Sequence, residues 1–91
     1  MTFQYEENRI FAQDEQGRLV AEITFPACGE GLVDIDHTFV DPSLRGQGVA
    51  GQLVRAAAGR IRQTGRRAVA LCSYAARWFA EHPEARDILE K

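Results

Sequence analysis

The hydrophobic period of the chain changes once, between residues 40 and 50, and that change constrains the fold more than any other feature. Before it, apolar and polar residues alternate in Leu19–Phe25 and Leu32–Val40, a pattern that predicts half-buried β-strands. After it, apolar residues recur about every four positions from Val49 to Ile61, which predicts one amphipathic helix. Strands followed by a helix imply a mixed α/β (α+β) fold.

The amino-terminal half is predicted to be an antiparallel meander of strands. Arg9–Gln13 is a short extended segment, residues 14–17 form a turn, and Leu19–Phe25 is the second strand. The Gly-rich stretch of residues 26–31 breaks the pattern. We expect Leu32–Val40 to be one strand, whose predicted buried face consists of Val33, Ile35, His37 and Phe39.

The carboxy-terminal half continues with a helix, a strand and a second helix. Gly65 is a predicted C-terminal cap of the first helix, and the strand at Arg67–Leu71 ends at Cys72. Tyr74–Glu81 is predicted to be helical, and Pro83 opens a further turn before a short helix near Asp87–Leu89. Residues 1–91 are expected to form a single domain, the usual outcome at this length.

The net charge of −2 hides an uneven distribution. Residues 1–44 contain nine acids and two arginines, whereas residues 45–91 contain nine bases and four acids, with no acid between Arg45 and Arg77. Such a field attracts polyanions, for example a phosphorylated cofactor, but a solvated helix face paired with the acidic half explains it equally well. The small basic excess and the few interleaved aromatics argue against sequence-specific nucleic-acid binding.

Two cysteines, Cys28 and Cys72, are too few for a disulfide-built fold, and no C-x-x-C pair indicates zinc, so no metal is expected. The first eight residues are polar and acidic, unlike a signal peptide. No apolar run approaches the roughly 18 residues of a membrane span. We therefore expect a cytoplasmic protein without a membrane partner.

The period change falls on a glycine-rich segment, Val40–Ala50, that enters the first helix. The first N–H groups of a helix lack intrahelical partners and carry positive partial charge, so the segment is a candidate pyrophosphate cradle. It has neither the Gly-Lys-Ser/Thr of a P-loop nor the spacing of a dinucleotide fingerprint. On glycine spacing alone, the simpler interpretation of a tight turn into a helix is favoured.

Arg45-x-x-Gly48-x-Ala50 at this junction resembles the acyl-coenzyme A signature of GCN5-related N-acetyltransferases. The wider sequence is similar to the very small acetyltransferase-like branch of that superfamily. The similarity rests on four motifs in the same order, His37–Val40, Arg45–Ala50, Cys72–Tyr74 and His82–Glu84. The chain departs from that branch at Ala85, where an aromatic residue is common.

The resemblance implies a reduced acyl-coenzyme A N-acyltransferase fold and transfer of an acetyl group from acetyl-coenzyme A to an amine. The loop at residues 44–50 would bind the coenzyme's pyrophosphate through backbone N–H groups. The backbones of Phe39 and Val40 would pair with the pantetheine arm as an added strand pairs with a sheet edge. The implied cofactor-binding residues are Phe39, Val40, Arg45, Gly46, Gln47, Gly48, Val49 and Ala50.

Acetyl transfer requires an uncharged amine, a polarised thioester carbonyl and an acid for the leaving thiolate. A backbone N–H within Phe39–Asp41 would polarise the carbonyl. Cys72 lies where a strand ends and a helix begins, and the helix start together with nearby arginines is expected to lower its thiol pKa. In the small branch it is discussed as an acetyl-accepting nucleophile. The alternatives for Cys72 are a site-lining residue and a buried structural cysteine.

His37 and Tyr74 are the other candidate catalytic residues. His37 would serve as a base if its strand neighbours that of Cys72, but its shared face with Val33 and Ile35 favours a hydrogen-bonded core histidine equally. Tyr74 would protonate the departing thiolate, and packing at the start of the helix is the alternative.

Larger acetyltransferases place two helices between their first strands, whereas Gln13–Arg18 leaves room only for a turn. The acceptor side is therefore expected to be open, which suits a protein terminus, a lysine or a polyamine. The competing function is a non-catalytic coenzyme A-binding module that acts as a sensor or scaffold. A monomer is the favoured oligomeric state.

Overall fold

The computed structural model describes residues 1–90, which form seven strands, two α-helices and two 3₁₀ turns. The strands are β1 (Gln4–Glu6), β2 (Arg9–Gln13), β3 (Leu19–Thr24), β4 (Ala27–Gly29), β5 (Leu32–Ile35), β6 (His37–Val40) and β7 (Arg67–Ala70). The helices are α1 (Val49–Gln63) and α2 (Ser73–Glu81), and the 3₁₀ turns are Pro42–Leu44 and Pro83–Ile88.

The strands form two sheets. One is antiparallel and has the order β1-β2-β3-β6, and the other has the order β4-β5-β7. The pair β5–β7 is parallel. After β5 the chain runs through β6 and α1 before it returns as β7 beside β5, and such a crossover connection joins parallel strands. The predicted mixed α+β fold with an antiparallel sheet is confirmed.

The prediction of one strand over Leu32–Val40 is wrong, because the segment divides at Asp36 between the two sheets. The backbone N–H of Asp36 donates to the carbonyl of Thr24 (3.3 Å), so the chain leaves β5 and pairs with β3. The buried face then changes register. Val33 and Ile35 are buried, but His37, predicted on the same face, is exposed. Ala27–Gly29, predicted as a break, forms the short edge strand β4.

The core lies between the sheets and α1. The helix buries the stripe that its sequence predicted: Val49, Leu53, Val54, Ala57, Ala58 and Ile61. On the four-stranded sheet, the residues that face α1 include Ile10, Ala21 and Ile23, each fully buried. The opposite face carries Arg9 and Glu22, which stay partly exposed.

The carboxy-terminal segment packs against the same core. Trp78 and Phe79 of α2 are buried. The short helix predicted near Asp87–Leu89 is instead the 3₁₀ turn Pro83–Ile88, which buries Ala85. The chain then meets the edge of β7, where the N–H of Glu90 donates to the carbonyl of Ala68 (2.8 Å).

Within residues 1–90, neither helix has the length and apolarity needed to cross a membrane.

Candidate active site

The loop between β6 and α1 is ordered by its own side chains. The carboxylate of Asp41 accepts the N–H of Ser43 (3.0 Å) and also its hydroxyl. These two hydrogen bonds hold the pKa of Asp41 below its ordinary value, and the one from the hydroxyl has the larger effect. Gly46 and Gly48 have φ of 81° and 72°, in the left-handed region that favours glycine. A Cβ at either glycine would meet no atom within 4 Å, so the space above the loop is free.

Helix α1 begins immediately after this loop. Its N-cap is Gly48, and the carbonyl of Gly48 accepts the N–H of Gln52 (3.1 Å). The preceding N–H groups, those of Val49, Ala50 and Gly51, have no helical acceptor, as at the start of any α-helix. They point out of the helix end, where the macrodipole favours an anion.

A cavity of about 260 Å³ lies beside this helix end. It joins the end of β6, the loop, the first turn of α1 and one side chain of α2. Six of the eight predicted cofactor residues line it, and Phe39 and Gln47 do not. The complete lining is Val40, Leu44, Arg45, Gly46, Gly48, Val49, Ala50 and Tyr74.

The outer edge of β6 is the second feature of the site. The N–H of Asp41 donates to the carbonyl of Val20 (2.8 Å), and antiparallel hydrogen bonds recur at alternate residues. Phe39 therefore exchanges its backbone hydrogen bonds with Glu22, its register partner. The peptide groups of Thr38 and Val40 point to the free edge. The backbone of Phe39, predicted to pair with the pantetheine arm, therefore faces β3, and the free edge presents the backbones of Thr38 and Val40.

This free edge faces the junction of β7 and α2. The carbonyl of Ile35, the last residue of β5, accepts the N–H groups of both Leu71 (3.0 Å) and Cys72 (2.9 Å). Strand β7 thus stays with β5 while β6 departs toward β3. The divergence leaves a gap between β6 and α2, and Cys72 lies in that gap.

Cys72 is the N-cap residue of α2 and is half-buried. Its Sγ lies 3.6 Å from Oγ1 of Thr38. Burial by itself would raise the pKa of this thiol, but the N–H of Ala75, the Thr38 hydroxyl and the N–H groups of Tyr74 and Thr38 together outweigh it. The net effect is a lowered pKa, as predicted for a cysteine at a helix start, but no arginine is among the groups that lower it.

His37 lies away from Cys72. Its Nε2 is 3.4 Å from Oε1 of Glu22, and its side chain is 53% exposed. Successive residues of a strand face opposite sides, and it is Thr38 that contacts Cys72. The structure does not bring His37 and Cys72 together, and the alternative of a core histidine is wrong.

Glu22 was not identified from the sequence. Its carboxylate is only 17% exposed and is shared between Arg9 and His37. Within the sequence, Glu22 is simply the polar member of an alternating strand. Only the register of β3 against β6, which pairs Thr24 with His37, places Glu22 within reach of the imidazole.

Tyr74 is placed by α2 at the mouth of the cavity. Its side chain is 38% exposed. A Cβ at Gly51 would lie 3.6 Å from the Tyr74 hydroxyl and 3.5 Å from Nε1 of Trp78. The phenol therefore lies close to the first turn of α1, at a distance where an added Cβ would make only ordinary van der Waals contact. This position accommodates both the acid role and the packing role considered for Tyr74.

The family model described as GCN5-related N-acetyl-transferase matches residues 9–88. The chain belongs to the GCN5-related N-acetyltransferase family. The matched segment contains the whole cavity, the free edge of β6 and Cys72, so the features above lie inside the part that defines family membership.

Solved structures of this family share the fold. A GCN5-like protein from Staphylococcus aureus has 28% identity and a TM-score of 0.80, and the alignment covers 98% of this chain and 87% of that one. A GNAT family N-acetyltransferase from Escherichia coli, solved in complex with CoA, has 26% identity and a TM-score of 0.64 over 81% of this chain. The chain spans 47% of the length of that larger protein. The comparison with curated proteins gave no significant match.

Two of the arginines in this GCN5-related chain are paired away from the cavity. Arg62 donates two hydrogen bonds to the carboxylate of Asp87, at 2.9 and 2.7 Å. Arg55 lies 3.8 Å from Glu84 and stacks over the ring of Trp78 (5.4 Å). Arg55 and Arg62 therefore lie on a solvated, paired helix face, but their partners Glu84 and Asp87 belong to the carboxy-terminal half and not to the acidic half that the charge distribution suggested. Arg45 lines the cavity.

Proposed function

We propose that the protein is an N-acetyltransferase that transfers an acetyl group from acetyl-coenzyme A to an amine. The observation that carries this proposal is the continuity of three features. The glycine loop with its free N–H groups and the end of β6 line one cavity of about 260 Å³, and Thr38, on the same face of β6 as the cavity-lining Val40, contacts Cys72. Family membership and the CoA complex of the E. coli relative support the same co-substrate.

The loop supplies the anion site of the proposal. The pyrophosphate would lie above Gly46 and Gly48, where a Cβ would meet no atom, and would accept the N–H groups that begin α1. Gln47 lies in the same loop and would contribute its backbone. Negative charge at this helix end is favoured by the macrodipole, and Arg45 adds a positive charge.

The pantetheine arm would pair with the free edge of β6. The outward carbonyl of Thr38 and the outward N–H and carbonyl of Val40 offer the donor and acceptors that an added strand uses. This arrangement leads the thioester toward the gap that contains Cys72. The N–H of Val40 would polarise the thioester carbonyl, since the Thr38 N–H is already directed at the Cys72 sulfur.

Cys72 and Tyr74 are the proposed catalytic residues at the thioester. The Cys72 sulfur would attack the carbonyl carbon, forming a new C–S bond while the bond to the coenzyme sulfur breaks. Tyr74 would give its proton to the departing coenzyme thiolate. The amine would then attack the carbonyl carbon of the acetyl-cysteine, the bond to the Cys72 sulfur breaks, the sulfur leaves as thiolate, and the proton that the nitrogen loses returns to Tyr74. Direct attack of the amine on the bound thioester is the competing route.

His37 is proposed to act on the acceptor, not on Cys72. It lies with Glu22 on the sheet face opposite α1, where its half-exposed imidazole would take the proton of an incoming ammonium group and so supply the uncharged amine. The acceptor is proposed to be a protein amine or a polyamine. We further propose that residues 1–91 form a single domain, that the protein is a monomer and that it is located in the cytoplasm.

A non-catalytic coenzyme A-binding module is the second candidate function. The separation of His37 from Cys72 favours it, because the thiol then has no neighbouring imidazole as base. Titration of the purified protein with acetyl-coenzyme A, followed by a screen of amines for coenzyme release, distinguishes the two. We expect binding and amine-dependent release. Binding without release by any amine would support the module, and absence of binding would contradict both functions.

A further inference from the structure

Thr38 is the residue of β6 that contacts Cys72, and nothing in the sequence pattern assigned a role to it. Its Oγ1 lies 3.6 Å from the Cys72 Sγ, in a partly buried position. When the thiol is protonated, either group can be the hydrogen-bond donor. When the thiol has lost its proton, only the hydroxyl can donate. The contact therefore stabilises the anionic sulfur more than the neutral one.

The backbone of Thr38 acts on the same sulfur. The register of β6 against β3 turns the Thr38 N–H toward the free edge, and that N–H is one of the groups that lower the pKa of Cys72 after burial has raised it. The N–H groups of Ala75 and Tyr74 approach the sulfur from α2. Thr38 therefore supplies the donors on the sheet side, and the helix end supplies those on the other side.

We infer that Thr38 is a positioning residue whose hydroxyl holds the Cys72 sulfur in its anionic form at the amino terminus of α2. It acts through Cys72 and touches no reacting atom of the acetyl group. The consequence for catalysis rests on the proposed function. The interaction itself does not, since the reactivity of the thiol is measurable without coenzyme.

The test is the pH dependence of Cys72 alkylation by iodoacetamide. It uses full-length protein in which Cys28, the other free cysteine, is replaced by serine. Thr38→Val keeps the side-chain shape but removes the hydroxyl, and Thr38→Ser keeps the hydroxyl. We expect Cys72 in Thr38→Val to be alkylated about three- to tenfold more slowly at neutral pH, because only the thiolate attacks and less of it is present without the hydroxyl. The midpoint of the curve of alkylation rate against pH should move to higher pH. Thr38→Ser should follow the parent, and all rates should converge at high pH.

Thr64→Val is the matched control, since its hydroxyl donates to the carbonyl of Arg60 at the far end of α1. Its alkylation profile should equal the parent's, and circular dichroism checks that each variant folds. If Thr38→Val does not fold, Thr38→Ala gives the same comparison.

A Thr38→Val profile identical to the parent's overturns the inference, and so does a Thr38→Ser variant as slow as Thr38→Val. If the alkylation profiles are as expected but the protein does not bind acetyl-coenzyme A, the proposed function is contradicted. The role of Thr38 is then still supported, because it was measured without coenzyme.

Discussion

Cys72 owes its properties to three separate parts of the chain. It caps α2, its own N–H donates to the carbonyl of Ile35 (2.9 Å), and its sulfur contacts Thr38. Cys28 has the opposite character, because loss of hydration and the Asp34 carboxylate raise its pKa. The pKa of one thiol is therefore lowered and that of the other is raised, so Cys28 serves as an internal control in the same molecule.

Incubation with acetyl-coenzyme A in the absence of amine should place one acetyl group on Cys72 and none on Cys28, as read by peptide mass spectrometry. Bound coenzyme should also protect Cys72 from alkylation, because the gap between β6 and α2 would be covered. Cys72→Ser removes the thiolate and should give no stable adduct. A slowly alkylated Cys72 that coenzyme does not protect would refute the nucleophile role.

Among the elements, α1 serves both the anion site and the packing of the chain's end. Its first turn lines the cavity, whereas its later turns are tied to the 3₁₀ turn Pro83–Ile88 through Arg62 and Asp87. Hydrogen bonds from Arg62 hold the pKa of the Asp87 carboxyl below its ordinary value. A carboxyl whose pKa is lowered by folding stabilises the folded state while it is ionised.

Arg62→Gln should therefore lower the free energy of unfolding at neutral pH but not in acid. The contribution is complete above the ordinary carboxyl pKa of 3.8 and disappears as the pH falls through the lowered folded-state pKa. Denaturant unfolding of both proteins at several pH values measures the difference.

Coenzyme affinity of Arg62→Gln should change by less than about threefold, as is usual for a charge outside the site. Arg77→Gln, on the exposed side of α2, is the control for loss of a positive charge. A stability gap that persists in strong acid, or a tenfold loss of coenzyme affinity, would contradict this assignment of Arg62.

For the whole molecule, the arrangement of layers separates two surfaces. Helix α1 and the glycine loop lie on one face of the four-stranded sheet, and Arg9, Glu22 and His37 lie on the other. The chain spans 47% of the length of its E. coli relative. In the proposed function, coenzyme and acceptor would approach from these different sides and meet at the gap between β6 and α2.

The sequence was sufficient for α1, the loop and β3, because hydrophobic period and glycine position are local signals. It was not sufficient for the division of Leu32–Val40. The apolar alternation continues through Asp36, and only pairing with Thr24 draws the chain into the other sheet. This change of sheet at Asp36 places His37 on the exposed face and Thr38 beside Cys72. The role of Glu22 was hidden for the same reason, since it depends on the register between β3 and β6.

The binding of acetyl-coenzyme A at the glycine loop is the central claim, and calorimetry of Gly48→Glu against Gly17→Glu tests it most directly. Both glycines have positive φ, 72° and 82°, and open space at the Cβ position, so the two substitutions impose similar backbone strain and the same charge. Only position 48 lies at the proposed pyrophosphate site. We expect Gly17→Glu to bind like the parent and folded Gly48→Glu to lose at least about tenfold in affinity, because a carboxylate would replace the phosphate oxygens at the helix end. Parental affinity in folded Gly48→Glu would contradict the claim.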